Sequence, residues 1–167
     1  MEKEGAGCPQ RKKNRLENRD YSSVGAYFLT ICTSERRNYF WESEDTAVGS
    51  PQQVRLSPYG KIVQQTIGKI PSVYPALKVA HSVIMPDHVH ILLVICADGC
   101  GRPMVAPTIS RVVQHLKGTA TKRIGHSVWQ KSFSDHVIRS RPDYEAHVRY
   151  IHENPMKWRF QHLRADE

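Results

Sequence analysis

The chain has 167 residues, 40% of them hydrophobic, which is enough to bury one core and excludes a disordered or fibrous chain. Lys and Arg number 24 against 16 Asp and Glu, a formal charge of +8 with a pI near 9.5, a balance that attracts polyanions and nucleic acid foremost. The longest apolar run, Ile91 to Ala97, is too short to span a bilayer, and MEKEGAGCPQRKKNR lacks the apolar core of a signal peptide, so a cytoplasmic protein with no membrane partner is expected.

Residues 1–20 are polar and carry the basic positions Arg11, Lys12, Lys13 and Arg15. They read as an arm before a domain at 21–160, with a short tail at 161–167. AYFLTICTS mixes aromatic and β-branched residues in alternation and predicts the first strand. SPYGKIVQQTIGKI opens with Ser57 as N-cap and Pro58 at the first helical position, aligns Ile62, Val63, Ile67 and Ile70, and is stopped with the help of Pro71. KVAHSVIM and HVHILLVI flank Pro86-Asp87 closely enough for an antiparallel hairpin. After the loop ADGCGRPMVAP, the residues Ile109, Val112, Val113, Leu116, Ala120 and Ile124 recur at helical spacing up to a C-cap at Gly125. The opposite face of that helix carries Arg111, Lys117, Lys122 and Arg123. SVWQKSFSDHVI reads as a strand, and SRPDYEAHVRYIHENP as a helix begun by Ser140-x-x-Asp143 and stopped before Pro155. This order of elements describes an α/β (α+β) sandwich, an antiparallel sheet with helices packed on it.

Cys8, Cys32, Cys96 and Cys100 are too few and too irregular for a disulfide framework, and the Cys96/Cys100 spacing has no second pair to complete a zinc finger. In His88-Val89-His90 the two imidazoles project from one strand face and suit one ion, although the wet side of a half-buried strand has the same pattern. On the last helix, Tyr144, Val148 and Ile151 make the apolar stripe, which leaves Tyr150 off the core with Asn154 one turn further on. A phenol, a neutral oxygen ligand and two imidazoles are what metal-assisted phosphoryl transfer requires. A histidine-triad hydrolase would need histidine where Leu92 stands, and zincin proteases carry theirs on a helix at i and i+4. A zinc-dependent hydrolase of small substrates and a plain metal- or RNA-binding module stay open. Trp129 and Phe133 suit either base stacking or core packing, and Asp135 and His136 have no assigned role.

IMPDHVHILL, VWQKSFSDHVIR and YIHENPMKW, in this order, resemble the single-tyrosine HUH transposases and, within them, the REP-associated tyrosine transposases. DYSSVGAYFLTICT and LSPYGKIV resemble the N-terminal half of the same family. The resemblance implies the HUH endonuclease, ferredoxin-like (RRM-like) architecture and the cleavage and rejoining of single-stranded, hairpin-forming DNA through a 5′-phosphotyrosine. It makes Tyr150 the nucleophile and His88, His90 and Asn154 the ligands of one Mg2+ or Mn2+. Arg11, Lys12, Lys13, Arg15, Lys117, Lys122 and Arg123 are expected on DNA phosphates, in a monomer or homodimer acting on palindromic repeats in the nucleoid. The alternative is a catalytically silent DNA- or RNA-binding relative of the same fold.

Overall fold

The structure, a computed structural model, describes residues 24–42, 54–96 and 108–163. Arg11, Lys12, Lys13 and Arg15, the expected arm, Cys8, Cys100 and the loop 97–107 lie outside the described residues, as do 164–167.

Strands β1 (Gly25–Cys32), β2 (Leu77–Ile84), β3 (His88–Ile95) and β4 (Ser134–Ile138) form one antiparallel sheet in the order β2-β3-β1-β4. Antiparallel pairing of β1 with β3, β3 with β2, and β1 with β4 makes two interleaved βαβ units, the ferredoxin-like arrangement expected from the sequence. Helix α1 (Pro58–Gly68) bridges β1 to β2, and α3 (Ile109–Ile124) bridges β3 to β4. Both cover the same face of the sheet, because Tyr27, Leu29 and Ile31 of β1 and Val89, Ile91, Leu93 and Ile95 of β3 cluster with Val63, Ile67, Val112, Val113 and Leu116.

The alternate residues of the same strands point the other way. Phe28 and Leu92 meet Ile151 of α4 (Arg141–Leu163), with Tyr144 and Val148 packed around them. Strand β3 is therefore buried on both faces, and His88 and His90 lie on the α4 side together with Phe28 and Leu92.

Local signals act much as the sequence suggests. The Ser57 hydroxyl accepts from the Gly60 N–H at 3.1 Å, and Gly125 closes α3 at φ 96°. Three expectations need correction. The helix expected to be stopped with the help of Pro71 ends at Gly68, and Pro71 instead sits at the start of a short helix α2 (Ile70–Val73), where a missing N–H costs nothing. The strand read from SVWQKSFSDHVI begins only at Ser134, since Trp129 makes an isolated bridge to Thr33 and packs in the core on Phe40 at 5.2 Å. Helix α4 runs through Pro155 to Leu163 and is not stopped before the proline as expected. Proline removes its own bond to the previous turn and crowds the carbonyl four residues back, and the helix beyond it is held by Trp158 against Trp41 at 5.1 Å and by Lys157 on Glu153 at 2.7 Å. Among the described residues no helix is long and apolar enough to cross a membrane.

Two glycines separate packing from propensity. A Cβ on Gly60 would lie 2.2 Å from the Phe40 carbonyl oxygen, whereas one on Gly118 meets nothing within 4 Å. Gly60→Ala is expected to lower stability in urea unfolding by about 2–3 kcal/mol, and Gly118→Ala in mid-α3 to raise it by about 0.5–1 kcal/mol. Equal effects from the two would contradict this packing of α1 on the segment at Phe40.

Candidate functional site

The site begins at the β2–β3 turn. The Thr33 N–H donates to the Asp87 carbonyl at 2.9 Å, Tyr39 and Phe40 N–H groups donate to the Pro86 carbonyl at 2.9 and 3.1 Å, and Met85 N–H donates to His88 C=O at 2.8 Å. These bonds fix the backbone that leads into His88. The Asp87 carboxylate is shared, with Arg36 Nε at 2.8 Å on one oxygen and His88 Nδ1 at 2.5 Å on the other. Donation from Nδ1 leaves Nε2 of a neutral His88 as a bare lone pair.

His90 sits opposite Thr30 in the β1–β3 register, and its Nδ1 lies 2.9 Å from the Thr30 hydroxyl. That hydroxyl serves either tautomer, since it both donates and accepts. The outer nitrogens, His88 Nε2 and His90 Nε2, converge to 3.0 Å, with the residues only 7% and 4% exposed. Two imidazoles braced on Nδ1 and converging on Nε2 are the arrangement in which histidines hold a metal.

Tyr150 reaches this pair from α4. His147, Tyr150 and Asn154 form a stripe beside the Tyr144-Val148-Ile151 stripe that packs on the sheet, so they border the interface without filling it. The Tyr150 ring lies 5.1 Å from the His90 ring and is 44% exposed. The Asn154 amide nitrogen is buried without a hydrogen-bond partner among the described residues. A cation would be held by the amide oxygen of Asn154, which carries the lone pairs, and not by this nitrogen.

The expected basic residues of α3 go elsewhere. Lys117, Lys122 and Arg123 belong to the helix on the opposite face of the sheet from the histidines. The Lys117 ammonium donates to the carbonyls of Gln130 and Ser132 at 2.7 and 3.0 Å, and burial lowers its pKa. Arg123 donates to the Ile62 carbonyl and the Gln65 side chain. Trp129 and Phe133 pack in and against the core cluster.

Several residues at the site have no signal of their own in the sequence. Thr30 and Phe28 arrive only through strand register, with the Phe28 ring stacked on His90 at 5.0 Å. Asp87 and Arg36 form the brace behind His88; adjacency of Asp87 to the histidine was the available hint. His136, Asp143 and His147 present ligand-type atoms within 4.8 Å of one another, a second constellation consistent with a divalent cation. Its Asp143 carboxylate is held below the usual carboxylate range by the His136 hydrogen bond and the Arg139 N–H.

Burial, then the neighbouring His88 and Arg36, push the His90 pKa down to about 3 from an ordinary 6.5. Between those values the unfolded chain takes up a proton that the native chain refuses. The stability contribution is therefore complete above about pH 6.5 and is lost as pH falls toward 3. In chelator-treated protein, His90→Gln should flatten the fall in unfolding free energy between pH 7 and 4 by about 3 kcal/mol. Parallel pH profiles for the two proteins would refute this account of His90.

No protein-family model matches the chain. It is 28% identical over 98% of its length, and 98% of the relative's, to an uncharacterized protein of Haemophilus influenzae. It is 26% identical to the REP-associated tyrosine transposase of Escherichia coli over 83% of this chain and 71% of that protein. A solved structure of a REP-associated tyrosine transposase bound to a REP hairpin superposes with a TM-score of 0.61 at 25% identity, covering 86% of this chain and 74% of that one. Similarity of fold and similarity over a broad span of sequence thus lead to one group, and the chain is similar to the REP-associated tyrosine transposases.

Proposed function

We propose that the protein is a metal-dependent single-strand DNA endonuclease and strand transferase in which Tyr150 is the nucleophile. The observation that carries this reading is the Tyr150 ring 5.1 Å from His90, beside two imidazole Nε2 atoms only 3.0 Å apart. His88 and His90, with the Asn154 amide, would hold one Mg2+ or Mn2+; imidazole nitrogen also suits softer ions. When bound, the cation supplies Lewis-acid polarisation of a phosphate oxygen.

The remaining steps belong to the chain. Tyr150 Oη attacks phosphorus, the Oη–P bond forms as the P–O3′ bond breaks, and the phenolic proton ends on the departing 3′ oxygen. The product is a 5′-phosphotyrosine with a free 3′-OH, and since one phosphoester replaces another, that hydroxyl or another can reverse the step. The half-exposed Tyr150 is accessible to a strand, and the relative bound to a REP hairpin supports hairpin-forming DNA as substrate. Arg11, Lys12, Lys13 and Arg15, with Lys122, would neutralise phosphates in a monomer or homodimer. Lys117 and Arg123 have protein partners and are assigned to packing.

Tyr150→Phe deletes only the attacking oxygen. With Mn2+ and a hairpin oligonucleotide carrying single-stranded flanks, the adduct that survives denaturation should vanish while binding stays within about 3-fold. Tyr144→Phe should form the adduct normally. An adduct in the Tyr150→Phe protein would eliminate the mechanism, and none in the unaltered protein would leave the silent DNA-binding relative as the better reading.

A separate measurement assigns the ion. By calorimetry, His88→Ala should lose Mn2+ binding, and adduct formation with it, whereas His136→Ala should keep Mn2+ binding and still form the adduct, more slowly. The reverse pattern would move the catalytic ion to the His136-Asp143-His147 cluster.

A further inference from the structure

Beside Tyr150 lies a cleft of about 350 Å3 lined by Phe28, Thr30, His90, Ala146, His147 and Tyr150. Such a volume is at the small end of ligand pockets, roughly 300–1,000 Å3. Its walls are largely ring surfaces. Phe28 is at the centre, with His147 tilted against it at 4.5 Å and Tyr150 edge-on at 6.0 Å. The nucleophile stands on its rim, so whatever fills the cleft is covalently close to the atom attacked.

From this geometry we infer that the cleft receives one unpaired nucleobase, that of a nucleotide flanking the scissile phosphate; the inference rests on the DNA-cleaving reading above. A planar aromatic guest matches ring walls that offer few polar atoms, and base stacking on aromatic side chains tolerates any π-face. A sugar would find too few partners there. The flanking base is also the group that the backbone brings nearest once phosphorus is in line with Tyr150 Oη.

His147 has a defined part in this pocket. Its Nδ1 donates to the Asp143 carbonyl at 2.8 Å, the Asp143 carboxylate is 3.1 Å from the same atom, and the His136 ring stacks on it at 4.7 Å and 18°. His136 Nε2 in turn lies 3.0 Å from that carboxylate. The cluster therefore braces the imidazole as a wall of the cleft and leaves Nε2 as the polar atom it can offer. His147 is a positioning residue for the substrate in this scheme, holding the base and through it the phosphate.

Two measurements test the pocket. In the first, abasic sites are placed singly along the flank of the hairpin oligonucleotide, and the rate of adduct formation is read with Mn2+. One position next to the cut should lose roughly 10-fold or more. Ala146→Leu keeps a good helix former at an exposed position and fills the cleft; it should slow intact DNA to a similar degree and show no further loss on the abasic substrate. In the second, 2-aminopurine replaces that base and its fluorescence is followed on binding to the Tyr150→Phe protein, where no chemistry is required. Quenching should appear with Tyr150→Phe alone and disappear when Ala146→Leu is added. Normal adduct formation with no position sensitive to base removal would overturn the pocket and leave the nuclease reading intact. If no DNA forms an adduct, the nuclease reading fails, and the 2-aminopurine signal still decides the pocket: its absence overturns it.

Discussion

Two imidazoles buried side by side are expensive, and much of the fold around them meets that cost. A polar group taken from water into an apolar sheet loses several hydrogen bonds unless the protein replaces them. Here Asp87 takes the inner nitrogen of His88 and Thr30 that of His90. What is left over is the pair of outer nitrogens, directed at each other and barred from easy protonation by burial. The burial that costs stability at low pH keeps both imidazoles uncharged at neutral pH, and an ion would replace the proton that the two outer nitrogens share. Conserving a charge-neutral, lone-pair-rich point inside a basic protein gives that point its chemical character.

The brace depends on topology. Asp87 and His88 stand where β3 begins, and the bonds from Thr33, Tyr39 and Phe40 to the preceding turn all come from the segment that follows β1. Interleaving the two βαβ units puts β1 next to β3, so Thr30 pairs with His90 and Phe28 with Leu92. A sheet in sequential order would separate these partners. The same interleaving sends α1 and α3 to one face and leaves the other free for α4, which carries Tyr150 on the stripe adjoining its buried one.

Period and register mark the limits of what the sequence makes legible. The alternation in His88-Val89-His90 and the helical spacing of Tyr144, Val148 and Ile151 were enough to place the histidines on one face and Tyr150 off the core, because both are local properties of one element. Strand order, and with it the roles of Thr30 and Phe28, depends on which strands become neighbours. No local pattern encodes that. His147 illustrates the same limit: at i−3 from Tyr150 on a helix it shares the Tyr150 side, but only the sheet beneath makes it line the cleft. Pro155 misled in the opposite direction, since a local stop signal was outweighed by the packing of Trp158 on Trp41.

Charge was the least local and the most misleading signal. A net +8 says that a polyanion is attracted but not where. The amphipathic pattern of α3 put Lys117 and Arg123 on its outer face, where each is bonded to carbonyls or side chains of its own protein across from the histidines. Arg36, half exposed and paired to Asp87, exerts the more relevant field. Its charge lowers the proton affinity of both His88 and His90, less than burial does and, at His88, less than Asp87 raises it. One guanidinium thus orients the carboxylate behind His88 and offsets part of its negative charge.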